Sequence, residues 1–327
     1  MRPRALALLA CPDCGGDLEV ATGRVGADGH IETGSLRCRG CGARYPIEHG
    51  VPRLLHGAVA SEALATSARF GAEWQTFDHL GSYDERWLRG WLDPIGPADF
   101  RDRVVFEGGC GKGRHTVIAA RWGAREIVAL DLGAAAQVAF AHTRALPNVH
   151  VVQGDLVHPP VRRAFDLAFS IGVLHHLPRP QAGFEALCGR VKPGGRVAIW
   201  VYGRESNEWI VRFVNPVRER VTSRLPTRLL YWLSLPPSLV LSAAARLSRR
   251  SQRLGARLPY RDYLPMLASV PLREVHSIVF DQLVTPIAYY LPEAEVRSWF
   301  ARDGLRDVQI AWHNRNSWRA CARVAGE

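Results

Sequence analysis

The sequence predicts an α/β chain built on a doubly wound, mostly parallel sheet, with a cysteine-rich head in front and an arginine-rich helical segment inserted late. Three observations predict it. Between residues 101 and 203, apolar β-favouring runs alternate with helix-compatible runs across short turns, the pattern of a parallel sheet covered on both faces. One run, Val104-Val105-Phe106-Glu107, opens into glycines at 108, 109, 111 and 113. A strand thus feeds a turn nearly free of side chains and then a helix N-terminus, where a ligand can approach backbone N–H groups. Ahead of this lie two close cysteine pairs, Cys11-x2-Cys14 and Cys38-x2-Cys41.

The head spans residues 1–57. Its cysteine pairs are 23 residues apart, and each is followed by a glycine, Gly15 or Gly42, as tight knuckles require. Four thiolates on two short loops can close a tetrahedral zinc site with no open coordination position, so the Zn2+ expected on Cys11, Cys14, Cys38 and Cys41 is structural. The head's second half, Arg44-Tyr-Pro-Ile-Glu-His-Gly-Val-Pro, resembles the small zinc-ribbon activator subunits of tRNA and protein methyltransferases. The apolar run before Cys11 is too short for a secretory h-region, so a reducing cytoplasm is expected, with membrane association left open by the insert below.

Residues 58–100 read as a linker and helical lid. Phe70, Trp74 and Phe77 fall at helical spacing and form one apolar stripe, which suits a helix packed on the core. Phe-Gly-x-x-Trp segments also precede the core of several small-molecule methyltransferases, and that likeness implies a lid over the cofactor.

The core occupies residues 101–203. Its glycine loop reads Glu-x-Gly-x-Gly-x-Gly at 107, 109, 111 and 113, not the Gly-x-Gly-x-x-Gly of dinucleotide folds. Glu126–Asp131 is a second strand ending in an acid, followed by a helix from 134 to 146 and a third strand, 149–152, leading to Gly154-Asp155. Phe165–Ser170 is a fourth strand, running into Val173-Leu-His-His-Leu. A helix over 180–191 and Lys192-Pro-Gly-Gly before an apolar strand complete the series. In this order the motifs resemble class I S-adenosylmethionine-dependent methyltransferases of the type-11, ubiquinone/menaquinone-biosynthesis-like group. The resemblance implies a seven-stranded Rossmann-like sheet and S-adenosylmethionine bound at the strand ends by Glu107, Gly109, Gly111, Gly113, Asp131, Asp155, Leu156 and Ser170. The sulfonium donor is electrophilic already, so the protein needs alignment and at most one base, for which His175 and His176 are candidates. The plainer reading of both histidines is packing against the next helix. Neither an Asp/Asn-Pro-Pro-Tyr segment nor a Pro-Cys nucleophile follows strand four.

The insert covers residues 204–290, and 291–327 return to the core as its last helix and two strands, 308–312 and 318–324. The net charge is +11, and +8 of it lies between 204 and 257. The uncharged run within Arg228–Arg246 is interrupted by Pro236-Pro237. It is too short to span a bilayer, and two short helices are expected in its place. They suit either a cap over the site or peripheral membrane contact through 228–257. Asp281-x3-Thr-Pro-x2-Tyr before a Pro-Glu-initiated helix resembles the acceptor-side segment of small-molecule methyltransferases, which implies Asp281, Tyr289 and Tyr290 near the acceptor.

The first functional expectation is therefore methyl transfer to an oxygen or carbon of a small-molecule or lipid-linked metabolite. The second is a tRNA or rRNA methyltransferase that uses the ribbon for substrate recognition. Nucleic acid ranks second because the ribbon is nearly neutral and the basic segment is interleaved with aliphatic runs instead of a stacking platform.

Overall fold

The computed structural model describes residues 1–250 and 260–326. Arg253, Arg257 and the end of the 228–257 stretch lie outside the described residues.

The central sheet has seven strands in the order β10-β11-β9-β8-β5-β6-β7. Strands β5 (Val104–Gly108), β6 (Glu126–Asp131), β7 (Val149–Gln153), β8 (Phe165–Ile171) and β9 (Val191–Tyr202) pair in parallel. The last two, β10 (Leu305–His313) and β11 (Ser317–Val324), form an antiparallel hairpin on the β9 edge. Both faces of the sheet are buried. Phe106, Val128 and Leu130 enter one core, while Val105, Ile127 and Ala129 enter the other. These strands read as unbroken apolar runs because alternate residues serve opposite cores. Helices α4 (Arg114–Arg121) and α5 (Ala135–Thr143) follow β5 and β6, and α6 (Pro180–Cys188) precedes β9. Before them stand α2 (Asp84–Leu92) and the single turn α3 (Pro97–Phe100).

The head is a four-stranded antiparallel sheet: β1 (Leu18–Val25), β2 (Ile31–Cys38), β3 (Arg44–Glu48) and β4 (Val51–Pro52). It docks on the β7 edge. Arg53 bridges Gln153 in parallel, Leu54 donates its N–H to the Gln153 carbonyl at 2.8 Å, and Ala10 donates to Pro160 at 3.0 Å. Gly50 lies so close to Phe140 that a Cβ there would fall 2.4 Å from the ring.

Helix α1 (Ser61–Thr76) lines one cavity together with the C-terminal ends of β6, β8 and β9. The stripe expected on it divides. Phe70 and Trp74 face a cavity, whereas Phe77 ends the helix and packs with Leu230, Phe280 and Val284. Above lies the insert: α7 (Asn215–Arg220), α8 (Thr227–Arg250), α9 (Leu264–Leu267) and α10 (Leu272–Val284), with α11 (Glu293–Phe300) returning to the core.

Two short helices were expected around Pro236-Pro237; the structure instead runs α8 straight through both prolines. A proline inside a helix costs about 3 kcal/mol, mainly by removing one hydrogen bond and crowding the preceding turn. Here both prolines, and Trp232 and Leu233 four residues before them, lie on the solvent side. The opposite face is Leu230, Ser234, Ser238, Ser242, Ala245 and Ser248, all buried. These small residues let α8 lie close along α10, and Ser234 Oγ sits 2.8 Å from His276 Nε2. Packing thus holds the helix together despite the prolines. Among the described residues no helix is long and apolar enough to cross a membrane.

Candidate active site

The glycine loop after β5 lies at the centre of a cavity of about 690 Å³. Three of its glycines hold positive φ: 80° at Gly109, 51° at Gly111 and 81° at Gly113. Their reasons differ. A Cβ on Gly109 would fall 2.3 Å from the Val173 side chain, and one on Gly111 would fall 3.0 Å from the Trp74 indole nitrogen. Both glycines line the cavity, so the bare backbone forms its floor. Gly113 faces elsewhere. It approaches Ala139 of α5, lets α4 and α5 pack closely, and does not line the cavity.

At one end, Asp131 closes β6 with its carboxylate held by two backbone donors, Gly111 N–H at 2.9 Å and Gly133 N–H at 3.0 Å. Asp155 and Leu156 line the same end, Asp155 Oδ1 accepting from the Val157 N–H at 2.9 Å. A fixed carboxylate beside a side-chain-free loop matches a ligand carrying a ribose diol, so these residues fit the adenosyl part of S-adenosylmethionine. Glu107 and Ser170 lie beneath this floor and do not line it. Glu107 is 1% exposed, takes the Thr116 hydroxyl, and is pushed up to about 8 chiefly by burial. Ser170 donates to the Gly108 carbonyl at 2.8 Å and ties β8 to β5. The acid expected on the cofactor is thus a buried support of the loop.

At the other end the paired histidines separate. His176 lines the cavity, meets Phe70 edge-on, and its Nδ1 lies 2.6 Å from the Ile287 carbonyl. That contact makes Nδ1 the protonated nitrogen and leaves Nε2 as an acceptor. Burial holds the ring's pKa below the ordinary histidine value, with Asp281 acting the other way. His175 is fully buried beneath Tyr202, ring centroids 3.9 Å apart, and does not reach the cavity. Asp281 lines the cavity and accepts from the Tyr202 hydroxyl at 2.8 Å. Tyr290 lines it too, its hydroxyl donating to Gln282 at 2.7 Å. Tyr289 was expected beside it and is instead 45% exposed, outside the cavity. Adjacent residues of an extended segment point opposite ways, so only one of the two tyrosines can face inward.

Several lining residues escaped the sequence reading. Lid helix α1 contributes Thr66 and Glu73, the loop contributes Lys112 and Arg114, and the insert contributes Asn207, Trp209, Tyr260 and Tyr263. Glu73 carried a usable signal: an acid inside the Phe70–Phe77 stripe on its inward face. The insert residues carried none, because chain folding alone brings them there.

In the head, the sulfurs of Cys11, Cys14, Cys38 and Cys41 all lie within 4.8 Å of one another, with Cys14–Cys38 at 3.4 Å and Cys11–Cys41 at 3.7 Å. A tetrahedral zinc–thiolate site has sulfur–sulfur edges of about 3.8 Å, so the donor set fits Zn2+. Gly15 and Gly42 take φ of 73° and 76°, and a Cβ on Gly16 would fall 3.2 Å from two of the sulfurs. None of the head's residues lines the large cavity.

A methyltransferase-domain model matches residues 106–199, and a Trm112p-like protein model matches residues 2–50. A tRNA U34 carboxymethyltransferase of Marinobacter nauticus is 30% identical over 135 residues, covering 38% of this chain and 40% of that protein. One of Tolumonas auensis is 31% identical over 125 residues, covering 36% of this chain and 38% of that protein. The chain thus spans about two-fifths of the length of these curated relatives. The solved DhpI–SAH complex shares the fold at 16% identity and a TM-score of 0.51, over 83% of this chain and 100% of that one.

These matches overturn the expectation of a small-molecule or lipid-linked acceptor, and with it peripheral membrane contact through 228–257. The curated relatives are named for tRNA, and the head matches the Trm112p-like model. The comparisons favour the nucleic-acid reading that was ranked second. Trp209, Phe213 and Trp232 are 49%, 62% and 66% exposed, among exposed Arg204, Arg212, Arg220, Arg224 and Arg228. The insert thus exposes aromatic side chains as well as arginines. With its loop, its fixed acid and its four-sulfur head, the chain carries a methyltransferase domain with an S-adenosylmethionine-type cofactor site and, in front of it, a Trm112p-like zinc-ribbon domain.

Proposed function

We propose that this protein methylates tRNA in the reducing cytoplasm, with S-adenosylmethionine as donor. Trp209 carries the reading. It lines the cavity and is also half exposed, so it stands at the mouth where the arginine-rich surface of the insert meets the interior. Its indole nitrogen donates to the Tyr260 hydroxyl, which in turn reaches Asn207 at 2.8 Å, so the rim is held by side chains of the insert. A base leaving its stack can rest on such an aromatic edge while the flanking phosphates meet arginines.

The bound donor supplies an electrophilic methyl group. The chain's own residues hold, orient and take up a proton. Asp131, Asp155 and Leu156 hold the adenosyl end over Gly109 and Gly111. His176 Nε2 and the Asp281 carboxylate are the two groups placed to accept a proton from the nucleophilic atom, and Tyr290 and Tyr202 bound the acceptor. Uptake of that proton needs a neutral imidazole, which burial favours. The division into ribbon (1–57), lid (58–100), cofactor core (101–203), insert (204–290) and closing core (291–327) belongs to this reading. In it the ribbon recognises the tRNA body from the β7 edge while the insert presents the nucleotide.

The test is to incubate the purified protein with tritium-labelled S-adenosylmethionine and total tRNA, then digest to nucleosides. Label in one nucleoside peak, lost above moderate salt, supports the reading. Label in the organic extract, or none in RNA with active cofactor binding, sinks it.

A further inference from the structure

The lid carries a buried carboxyl group to which the catalytic and adenosyl-binding roles assign nothing. Glu73 is 0% exposed and lies in the cavity wall. One carboxyl oxygen takes the Ser277 hydroxyl at 3.2 Å, and Oε2 has no hydrogen-bond partner among the described residues. A buried carboxyl oxygen that lines a cavity and has no donor is open to a partner supplied by a ligand. The neighbouring Trp74 rests on Gly111, and the cations of Lys112 and Arg114 stand over its ring at 5.1 and 5.9 Å. Lys112 is 2% exposed, donates to the Phe77 carbonyl at 2.9 Å, and lines the cavity. Arg114 also lines it and meets Glu274 and Asp84 only loosely, at 3.4 and 3.7 Å.

The cavity therefore has two unlike ends, joined by the glycine floor: a ribose-type acid at Asp131, and an acid flanked by two cations at Glu73. A ligand that lies over the floor with its ribose at the first end carries its amino-acid portion toward the second. We propose that Glu73 receives the α-ammonium of the donor's amino-acid portion, while Lys112 and Arg114 face its α-carboxylate, so that the lid helix reads the zwitterion and closes on it. This deepens the reading of the cavity as the donor site and rests on it.

A consequence concerns protons. Burial first, and then Asp281 on α10, hold the Glu73 carboxyl well above its ordinary range, with Lys112 and Arg114 opposing. The groups facing it are thus Lys112 and Arg114 from the loop side, and Asp281 and Ser277 from α10. Burial thus favours the protonated form of the empty site, and an arriving ammonium favours the ionised carboxylate and expels the proton.

The experiment is calorimetry on the full-length protein with two probes, S-adenosylhomocysteine and 5′-methylthioadenosine, which lacks the amino-acid portion. For the wild type at pH 7, the enthalpy with S-adenosylhomocysteine should vary with buffer ionisation heat, showing proton release, and that with methylthioadenosine should not. Glu73→Gln should weaken S-adenosylhomocysteine at least tenfold, abolish the proton release, and leave methylthioadenosine unchanged, which also proves the variant folded. Equal weakening of both probes, or unchanged S-adenosylhomocysteine binding with a fall in turnover, would place Glu73 elsewhere and overturn the proposal. A wild type that binds neither probe would instead sink the underlying reading of the cavity.

Discussion

The ribbon and the insert flank one sheet and are built in opposite senses. In the ribbon the chemistry turns inward. Four sulfurs converge, the Tyr45 hydroxyl reaches Asp13 at 2.6 Å, and Leu36, Cys38 and Ile47 join the core beneath the sheet. In the insert, α8 turns serines inward and leaves Leu229, Trp232, Leu233, Leu239, Val240 and Leu247 exposed. A surface helix satisfied by its own chain shows the reverse pattern. The ribbon thus joins its metal site to the core it shares with the sheet, while the insert leaves an apolar helix face exposed.

The largest expected effect is on the ribbon. Structural zinc in small domains contributes on the order of 10 kcal/mol to folding. Chelation, or Cys38→Ser, should lower the melting temperature by more than about 10 °C. Because ribbon and sheet share one apolar cluster, scanning calorimetry should record one transition. Two well-separated transitions would mean the ribbon is only loosely attached and would weaken the contrast.

Asp131→Ala should reduce affinity for S-adenosylhomocysteine about 10- to 100-fold, the worth of charge-assisted hydrogen bonds. Glu107→Gln should leave that affinity within about twofold, since Glu107 lies beneath the cavity floor. The Asp131 side chain already carries two backbone N–H groups, so the variant's melting temperature should be read alongside.

Next come the two surfaces compared directly. Replacing Arg220, Arg224 and Arg228 with serine should weaken tRNA binding about tenfold near physiological salt and flatten its salt dependence by two to three counterions, roughly one per lost phosphate contact. The same change at Arg24, Arg37 and Arg44 of the ribbon should do less. Equal losses would erase the distinction drawn between the regions. Trp232→Ala should cost about 1 kcal/mol of tRNA affinity and leave the melting temperature unchanged, as expected of a stacking face and not of a core residue.

The smallest effect concerns pH. His176 has a folded pKa below the ordinary 6.5, chiefly through burial, so its neutral form predominates above that value. Turnover should stay flat from pH 6.5 to pH 8 and fall only at lower pH; His176→Asn should lose that fall. The same shift bears on stability. The folded protein binds fewer protons here than the unfolded chain, so this contribution is present above pH 6.5 and fades as pH falls through 6.5 toward the folded value. A turnover profile unaltered in His176→Asn would transfer the base role to Asp281.

The sequence by itself determined whatever depends on near neighbours. Strand β6 runs over Glu126–Asp131 as read, because an apolar run bounded by turns leaves little choice, whereas β9 begins at Val191, ahead of the Lys192-Pro-Gly-Gly segment that was read as preceding the strand. The four cysteines converge because two short knuckles with left-handed glycines allow nothing else. Tertiary structure alone decided the rest. It chose His176 over His175, and Tyr290 over Tyr289, through contacts with Ile287 and Gln282 across more than a hundred residues in one case and within eight in the other. It set Gly113 against α5 while Gly109 and Gly111 floor the cavity. It kept α8 whole through two prolines, because the packing of its serine face against α10 outweighs the local cost. Local backbone preference is fixed by a few adjacent residues, whereas which side of an element becomes interior depends on what the distant chain lays against it. That is why the sequence pointed to the glycine loop and the paired cysteines, and only the fold revealed the lid's Glu73, the rim's Trp209 and the outward face of the insert.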